Sequence, residues 1–337
     1  AFFNTLIRGY LKYRKLRLQR MYDDPHGLQK EVFLSLAERL KKTKYSNLYA
    51  KNGVRTADEF RQTFPIVRYE DIFPYIDRMM KGEEDMLWPG KVTWFAKSSG
   101  TTNDKSKFIP ITDENLFDNH VAASWDAMCI LYANRPEARI FEGKNLIMGG
   151  SLTETGGVTI GDVSAILLNR MPLVGRPFYT PDFEVALMAD WEAKIEKMAS
   201  QCRHEDVVML AGVPTWTAVL FRRLLEITGF SNMREVWPDL KTYFHGGVGF
   251  DPYAAQFREF LPGSDMEFYE VYNASEGYFA VQDRLNQKGM LLLLDNSIYY
   301  EFIPLENIGQ ADPATLELSQ VEEGKDYSIV ISTSAGL

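Results

Sequence analysis

The residue types best suited to chemistry are concentrated between Trp94 and Lys107, Trp-Phe-Ala-Lys-Ser-Ser-Gly-Thr-Thr-Asn-Asp-Lys-Ser-Lys. Ser98, Ser99, Thr101 and Thr102 surround Gly100, and Lys105 and Lys107 follow. Such a segment offers backbone N–H groups, hydroxyls and positive charge to one small anion, a set that matches a nucleotide phosphate chain. No second glycine stands before a Lys-Ser/Thr pair, so the spacing is not that of the common G-x-x-x-x-G-K-[ST] loop and different chemistry is expected. The competing reading is a plain strand-to-helix connection, and the loop alone divides evenly between the two.

A second segment, Tyr272-Asn273-Ala274-Ser275-Glu276-Gly277, places a carboxylate directly after small and hydroxyl residues. Mg²⁺ is a hard ion that takes carboxylate and phosphate oxygens, so Ser275 suits a phosphate and Glu276 the metal. Taken alone, Glu276 reads better as an ordinary surface acid. His245-Gly246-Gly247 follows an apolar run, and its glycines let a flat ring approach the backbone; a tight turn is the plainer reading. Cys129 and Cys202 make neither a disulfide framework nor a Cys-x-x-Cys metal site, and read as buried structural thiols in a reducing compartment. No G-x-S-x-G elbow is present, which weighs against a serine hydrolase.

These segments need a frame. The chain has 337 residues, enough for two domains or one large one. Hydrophobic residues make up 45% and charged residues 25%, the mix of a globular protein with an ample core. A net charge of -9 argues against a general nucleic-acid binder. No apolar run approaches the roughly 18 residues that span a bilayer, so no stable membrane anchor is expected. No signal peptide is visible, a cytoplasmic location is expected, and Ala1 and Leu337 are read as trimmed ends.

The first segment reads as a basic amphipathic helix, with Leu6, Tyr10, Tyr13, Leu16 and Leu18 among Arg8, Lys12, Arg14, Lys15, Arg17 and Arg20. Packing on the domain outweighs a membrane-surface role. A second helix is expected over 28–40, and a third from the cap Thr112-Asp113-Glu114 to about Tyr132. Thr180-Pro181 is expected to start a helix with Val185, Met188, Trp191, Ile195 and Met198 on one face. Another helix follows Gly212-Val213-Pro214 and closes near Gly229. Strands are expected at 145–148, 207–211, 240–244, 268–272 and 327–331, with 290–294 and 298–302 as a hairpin around Asp295-Asn296-Ser297. The alternation argues an α/β core, in which ligands sit beyond the carboxyl ends of strands. The polar loops Ser98–Thr102, Gly149–Ser151, Gly212–Thr215, His245–Gly249 and Asn273–Gly277 occupy strand ends.

In their order these motifs resemble the acyl-adenylate-forming superfamily of acyl-CoA synthetases, adenylation domains and luciferases. Within it they resemble the auxin-responsive promoter (Gretchen Hagen) family of acyl acid amido synthetases. Ser98 to Thr102 with Lys107-Phe108-Ile109-Pro110 is similar to that family's first motif, and Tyr272 to Glu276 to its second. Phe64-Pro65, Gly82-Glu83, Leu87-Trp88-Pro89-Gly90, Gly161-Asp162-Val163-Ser164-Ala165 and Gly212-Val213-Pro214-Thr215-Trp216 resemble its bacterial members. The resemblance implies that residues 1–337 form the large N-terminal domain, with mixed β-sheets flanked by helices and a smaller β-rich subdomain. The family's third motif, aromatic-Arg-x-Gly-Asp, and a small C-terminal domain with a catalytic lysine are expected after Leu337.

The implied activity is ATP-dependent activation of a carboxylic acid as an acyl-adenylate, then transfer to an amino acid amine. By the same resemblance Ser98, Ser99, Gly100, Thr101 and Thr102 cradle the phosphates, with Lys107 their charge partner and Lys105 second. Glu276 helps hold Mg²⁺, Ser275 contacts phosphate, and Gly246, Gly247, Tyr272, Asn273 and Ala274 flank adenine. Met148, Val213, Thr215 and Trp216 are placed in the acyl pocket. An acyl-CoA ligase sharing the first step is the alternative enzyme. A phosphate- or lipid-binding module using the basic first helix is the alternative outside catalysis.

Overall fold

The computed structural model describes residues 2–98, 106–263, 265–285 and 287–336. In chain order its strands are β1 (Trp94–Ser98), β2 (Lys107–Pro110), β3 (Lys144–Ile147), β4 (Leu152–Thr155), β5 (Val158–Gly161), β6 (Tyr179–Thr180) and β7 (Val207–Gly212). They continue with β8 (Thr242–Gly246), β9 (Glu267–Asn273), β10 (Tyr278–Val281), β11 (Leu291–Leu292), β12 (Ile298–Pro304) and β13 (Tyr327–Thr333).

The seven-stranded sheet runs β11-β10-β9-β8-β7-β3-β6. It is parallel from β6 to β9 and antiparallel from β9 to β11. Strand β7 reads Val-Val-Met-Leu-Ala-Gly, a nearly continuous apolar run, because a central parallel strand is covered on both faces. Val207 and Leu210 join the core under the helices Trp191–Cys202 and Pro214–Thr228. Val208 and Met209 join the core under the helices Phe2–Asp23 and Ala122–Asn134. The four-stranded sheet, β2-β1-β5-β4, sets β1 antiparallel to β2 and parallel to β5. The smaller β unit is the antiparallel pair β12–β13, in register from Ile298↔Thr333 to Pro304↔Tyr327. Buried Gln29 of the helix Pro25–Leu40 ties it down: Nε2 donates to the carbonyls of Leu294 (2.8 Å) and Ile298 (2.9 Å), and Oε1 accepts from the Tyr300 N–H. This is the expected α/β architecture of mixed sheets flanked by helices. Both cysteines are free and buried. Among the described residues no helix is long and apolar enough to cross a membrane.

Several local expectations need correction. In the helix Phe2–Asp23, Leu6, Tyr10, Tyr13 and Leu16 are exposed, and the buried stripe is Ile7, Leu11, Arg14, Leu18 and Met21. Arg14 breaks the apolar signal of that stripe, yet it belongs there because it makes a bidentate pair with buried Asp126, at 2.6 and 2.9 Å. The helix expected from Thr180 is divided into Phe183–Ala186 and Trp191–Cys202; Asp190 starts the second by accepting from the Ala193 N–H. The hairpin around 295–297 does not form: β11 pairs with β10 and β12 with β13. Asp295 is instead held by Arg17, and Asn296 donates to Asp126. The helix expected after Thr112 begins as a π-helical turn, Asn115–Val121, before Ala122–Asn134.

Candidate active site

A cavity of about 610 Å³ lies beyond the carboxyl ends of the parallel strands. Lys97 and Ser98 reach it from β1, Met148 from the end of β3, and Asp162 and Ser164 from the end of β5. Gly212, Val213 and Trp216 reach it from the end of β7, and Gly246 and Gly247 from β8. Asn273, Ala274, Ser275 and Glu276 complete the polar lining from the end of β9. Apolar side chains line much of the rest, including Trp125, Met128, Ile140, Phe141, Met171 and Phe178.

The residues between Ser98 and Lys107 join two antiparallel strands, with Ser98 and Lys107 cross-strand partners, rather than a strand to a helix. Ser99, Gly100, Thr101, Thr102 and Lys105 lie outside the described residues. Tyr69 anchors β2 by accepting from the Phe108 N–H at 2.8 Å, and the Lys107 ammonium lies 5.3 Å from the centre of its ring. Lys107 does not line the cavity; among the described lysines Lys97 does.

The Glu276 turn is tight: the Ala274 N–H donates to the Gly277 carbonyl, and the Gly277 N–H to that of Ala274. A Cβ on Gly277 would stand 2.7 Å from Ile298 Cδ1 and 3.3 Å from Asn119 Oδ1, so any other residue would press on both side chains. Asn119 holds β10 behind the turn by accepting from the Tyr278 N–H (2.7 Å) and donating to the carbonyls of Tyr278 and Asn296. Asn115 Nδ2 donates to the Glu276 carbonyl at 3.4 Å. His120 is fully buried beside the Asn273 side chain and the Ser275 backbone, and burial pushes its imidazole down to about 4, so it is neutral at pH 7. Glu276 itself is half-buried, and among the described residues its carboxylate has no hydrogen-bond or ion-pair partner. A carboxylate in the cavity lining with no protein partner among the described residues fits Mg²⁺, which takes one or two carboxylates and completes its shell with phosphate and water. No group of three or more His, Cys, Asp or Glu that could hold a metal by itself occurs among the described residues.

The Gly149–Ser151 turn is held differently. Lys194, 1% exposed, donates to the carbonyls of Gly149 and, at 2.8 Å, Gly150. Ser164 Oγ accepts from the Gly150 N–H and Asp162 from the Ser151 N–H, each at 3.3 Å. Burial pushes the Lys194 ammonium down to about 8 against the opposing pull of Asp162. Gly246 is needed because a Cβ there would stand 2.4 Å from the Val271 carbonyl oxygen of the neighbouring strand.

Besides Lys107, two expected site residues lie outside the cavity lining. Thr215 is exposed and outside the cavity lining; Thr217 is the buried hydroxyl of that helix, accepting from Tyr243 and donating to the Val213 carbonyl. Tyr272 is 49% exposed, its ring against Phe279 rather than in the lining. His245 is turned into the core, stacked on Phe250 at 4.1 Å. Sequence reasoning missed Lys97 in the lining and Asn115, Asn119, His120 and Lys194 behind its turns, and gave Asp162 and Ser164 no role. No motif marks Asn115, Asn119, His120 or Lys194, because each acts through the backbone of another segment.

The sequence matches the GH3 family N-terminal domain over residues 14–190 and 160–266, and the GH3 family central domain over residues 291–337. A jasmonoyl–L-amino acid synthetase of Nicotiana attenuata is 24% identical, over 93% of this chain and 65% of the relative. A solved acyl acid amido synthetase, GH3.15 in complex with 2,4-DB, has a TM-score of 0.79 at 20% identity, covering 96% of this chain and 66% of that one. A solved 2-hydroxyisobutyryl-CoA ligase in complex with 2-HIB-AMP has a TM-score of 0.54 at 14% identity, covering 92% of this chain and 58% of that one. The solved structures share the fold, and the chain spans about two thirds of the length of the synthetases it matches.

Proposed function

We propose that this chain, which belongs to the GH3 family, activates a carboxylic acid with ATP as an acyl-adenylate and passes the acyl group to an amino acid amine. The observation that carries this reading is the sharing of one cavity by Ser98, the Gly246–Gly247 pair, the Asn273–Glu276 turn and an apolar wall. In the first step a carboxylate oxygen attacks the α-phosphorus, the bond to the bridging oxygen breaks, and pyrophosphate leaves. The nucleophile is already ionised, so no general base is needed and catalysis is alignment plus charge stabilisation. In the second step the amine nitrogen attacks the acyl carbon, AMP leaves with the bond electrons, and the nitrogen loses a proton.

In this reading Ser98, Ser99, Gly100, Thr101 and Thr102 cradle the phosphates, with Lys107 beside the loop and Lys97 facing the cavity. Ser275 donates to a phosphate, and Gly246, Gly247, Asn273 and Ala274 border the adenine. Glu276 holds Mg²⁺, which when bound supplies charge neutralisation of the phosphate oxygens. Met148, Val213 and Trp216, with Trp125 and Phe141, receive the body of an apolar acid. Residues 1–337 supply both sites, and turnover draws on a further small domain; the greater length of the matched synthetases supports this. An amide product is supported by the names of those relatives, each an amino acid or amido synthetase. Thioester formation is the second reading, favoured by the likeness to a CoA ligase. A binding module acting through the basic first helix has less support, because Arg14 and Arg17 are engaged by Asp126 and Asp295.

The test is pyrophosphate–ATP exchange by the full-length protein with a panel of carboxylic acids, followed by product masses with amino acids or CoA. Mg²⁺-dependent exchange stimulated by an apolar acid, and an amide mass, are expected. A protein that neither binds ATP nor exchanges pyrophosphate with any acid refutes the reading.

A further inference from the structure

Behind the Asn273–Gly277 turn, the π-helical segment Asn115–Val121 brings together Asn115, Asn119 and His120, all 0% exposed. Hydrogen bonding from i to i+5 lodges an extra residue in the turn, and such π-bulges recur at functional sites. Here three side chains of one short segment reach one strand-turn-strand. Asn119 is committed to the fold, since both ends of its amide engage Tyr278. The other two are incompletely engaged. Asn115 Oδ1, both ring nitrogens of His120 and Asn273 Oδ1 have no protein partner of full hydrogen-bonding geometry among the described residues, although His120 faces Asn273 and Ser275 directly. Buried polar atoms without partners are destabilising, and an apolar side chain at position 120 would avoid that penalty. A fold under selection for stability alone has no use for this cluster.

We infer that His120 is a positioning residue for the phosphate–metal site: it backs the Ser275 backbone while Asn115 bonds the Glu276 carbonyl, and together they keep hydroxyl and carboxylate facing the cavity. The inference rests on the ATP reading above. His120 touches neither nucleotide nor metal; it acts through the turn that carries their partners, as supporting residues around metal ligands do.

The experiment compares wild-type full-length protein with His120→Leu and His120→Gln. Calorimetry gives ATP affinity with Mg²⁺ and with EDTA, and thermal unfolding gives stability. His120→Leu is expected to melt at or above the wild-type temperature while Mg²⁺-ATP affinity falls about tenfold or more and metal-free ATP affinity changes by less than about twofold. His120→Gln, which keeps a donor and an acceptor, is expected to recover most of the loss. Unchanged Mg²⁺-ATP affinity in His120→Leu overturns the inference. So does an equal fall with and without metal accompanied by a lower melting temperature, the signature of a merely structural residue. Wild-type protein that binds no ATP overturns the nucleotide reading and this inference together, which separates that failure from the other two.

Discussion

Two strand-end turns border the same cavity and are held in opposite ways. At Gly149–Ser151 both glycine carbonyls and the next two N–H groups have partners, supplied by Lys194, Ser164 and Asp162. At Asn273–Gly277 the Glu276 carboxylate has no partner among the described residues, and the atoms behind it are only partly engaged. A turn whose polar groups are satisfied from within the protein forms a fixed wall. A turn with hydrogen-bonding capacity left over gains the missing contacts when something binds. In the proposed function, the difference separates the part of the cavity that shapes a ligand from the part that meets its charge.

The comparison breaks most readily at Glu276. Glu276→Ala is expected to lower Mg²⁺-dependent pyrophosphate exchange by about 10³-fold or more in the full-length protein, without a drop in melting temperature. A destabilised variant with normal exchange would make Glu276 part of the wall instead. The opposite outcome is expected at Lys194: Lys194→Met leaves two buried carbonyls unpaired and should cost about 2 kcal/mol of stability at pH 7, measured by denaturant unfolding.

Lys194 also gives the wall a pH signature. Its folded pKa is depressed to about 8 from the ordinary lysine value of 10.5, so between those values the unfolded chain binds a proton that the folded chain does not. Wild-type stability therefore gains from this group as pH rises through that window, by up to about 3 kcal/mol, and loses that gain as pH falls through the folded pKa. The neutral amine keeps two N–H groups for the two carbonyls. The stability gap between wild type and Lys194→Met should thus widen from pH 8 to 10; a constant gap would mean that Lys194 is not desolvated. A comparable loss, about 1–3 kcal/mol, is expected for Gly150→Ala, whose Cβ would stand 1.6 Å from Asp162 Oδ2. The smallest effect belongs to Thr215→Ala, expected within about 0.5 kcal/mol in stability because Thr215 is exposed, and without change in the acid dependence of exchange. A change of acid preference there would extend the wall beyond the cavity lining.

The sequence announces those parts of the site where the backbone itself meets the cavity. Glycine pairs and hydroxyl residues at strand ends serve equally as plain turns, so Ser98, Gly246–Gly247 and Asn273–Glu276 are legible as cavity residues only in combination, together with the α/β alternation that gathers them. Contacts made across the fold are not. Lys194 looks like one more charged residue on an amphipathic helix until the Gly149–Gly150 turn is placed beside it. Thr215 and Thr217 are indistinguishable by type, and only the direction of the first helical turn after Pro214 decides which is buried. Residues 290–302 look like a hairpin because two apolar runs flank Asp-Asn-Ser, but each run finds a better neighbour elsewhere, in β10 and β13. Arg14 conceals a regular buried stripe because its partner, Asp126, stands 112 positions away.

The ties of the first two helices have a kinetic consequence. Arg17 reaches Asp295, and Gln29 reaches Leu294, Ile298 and Tyr300, at separations of 265 to 278 positions. Loop closure over such distances is entropically expensive and slow, because nothing rewards it until both ends meet. During synthesis, the helices Phe2–Asp23 and Pro25–Leu40 emerge with one flank matched to partners that do not yet exist, and Asp126 follows with Arg14 but without Asn296. Docking of the helix Pro25–Leu40 on β12 therefore has to wait until residue 300 has left the ribosome, whereas the helix Phe2–Asp23 can pack on Ala122–Asn134 earlier.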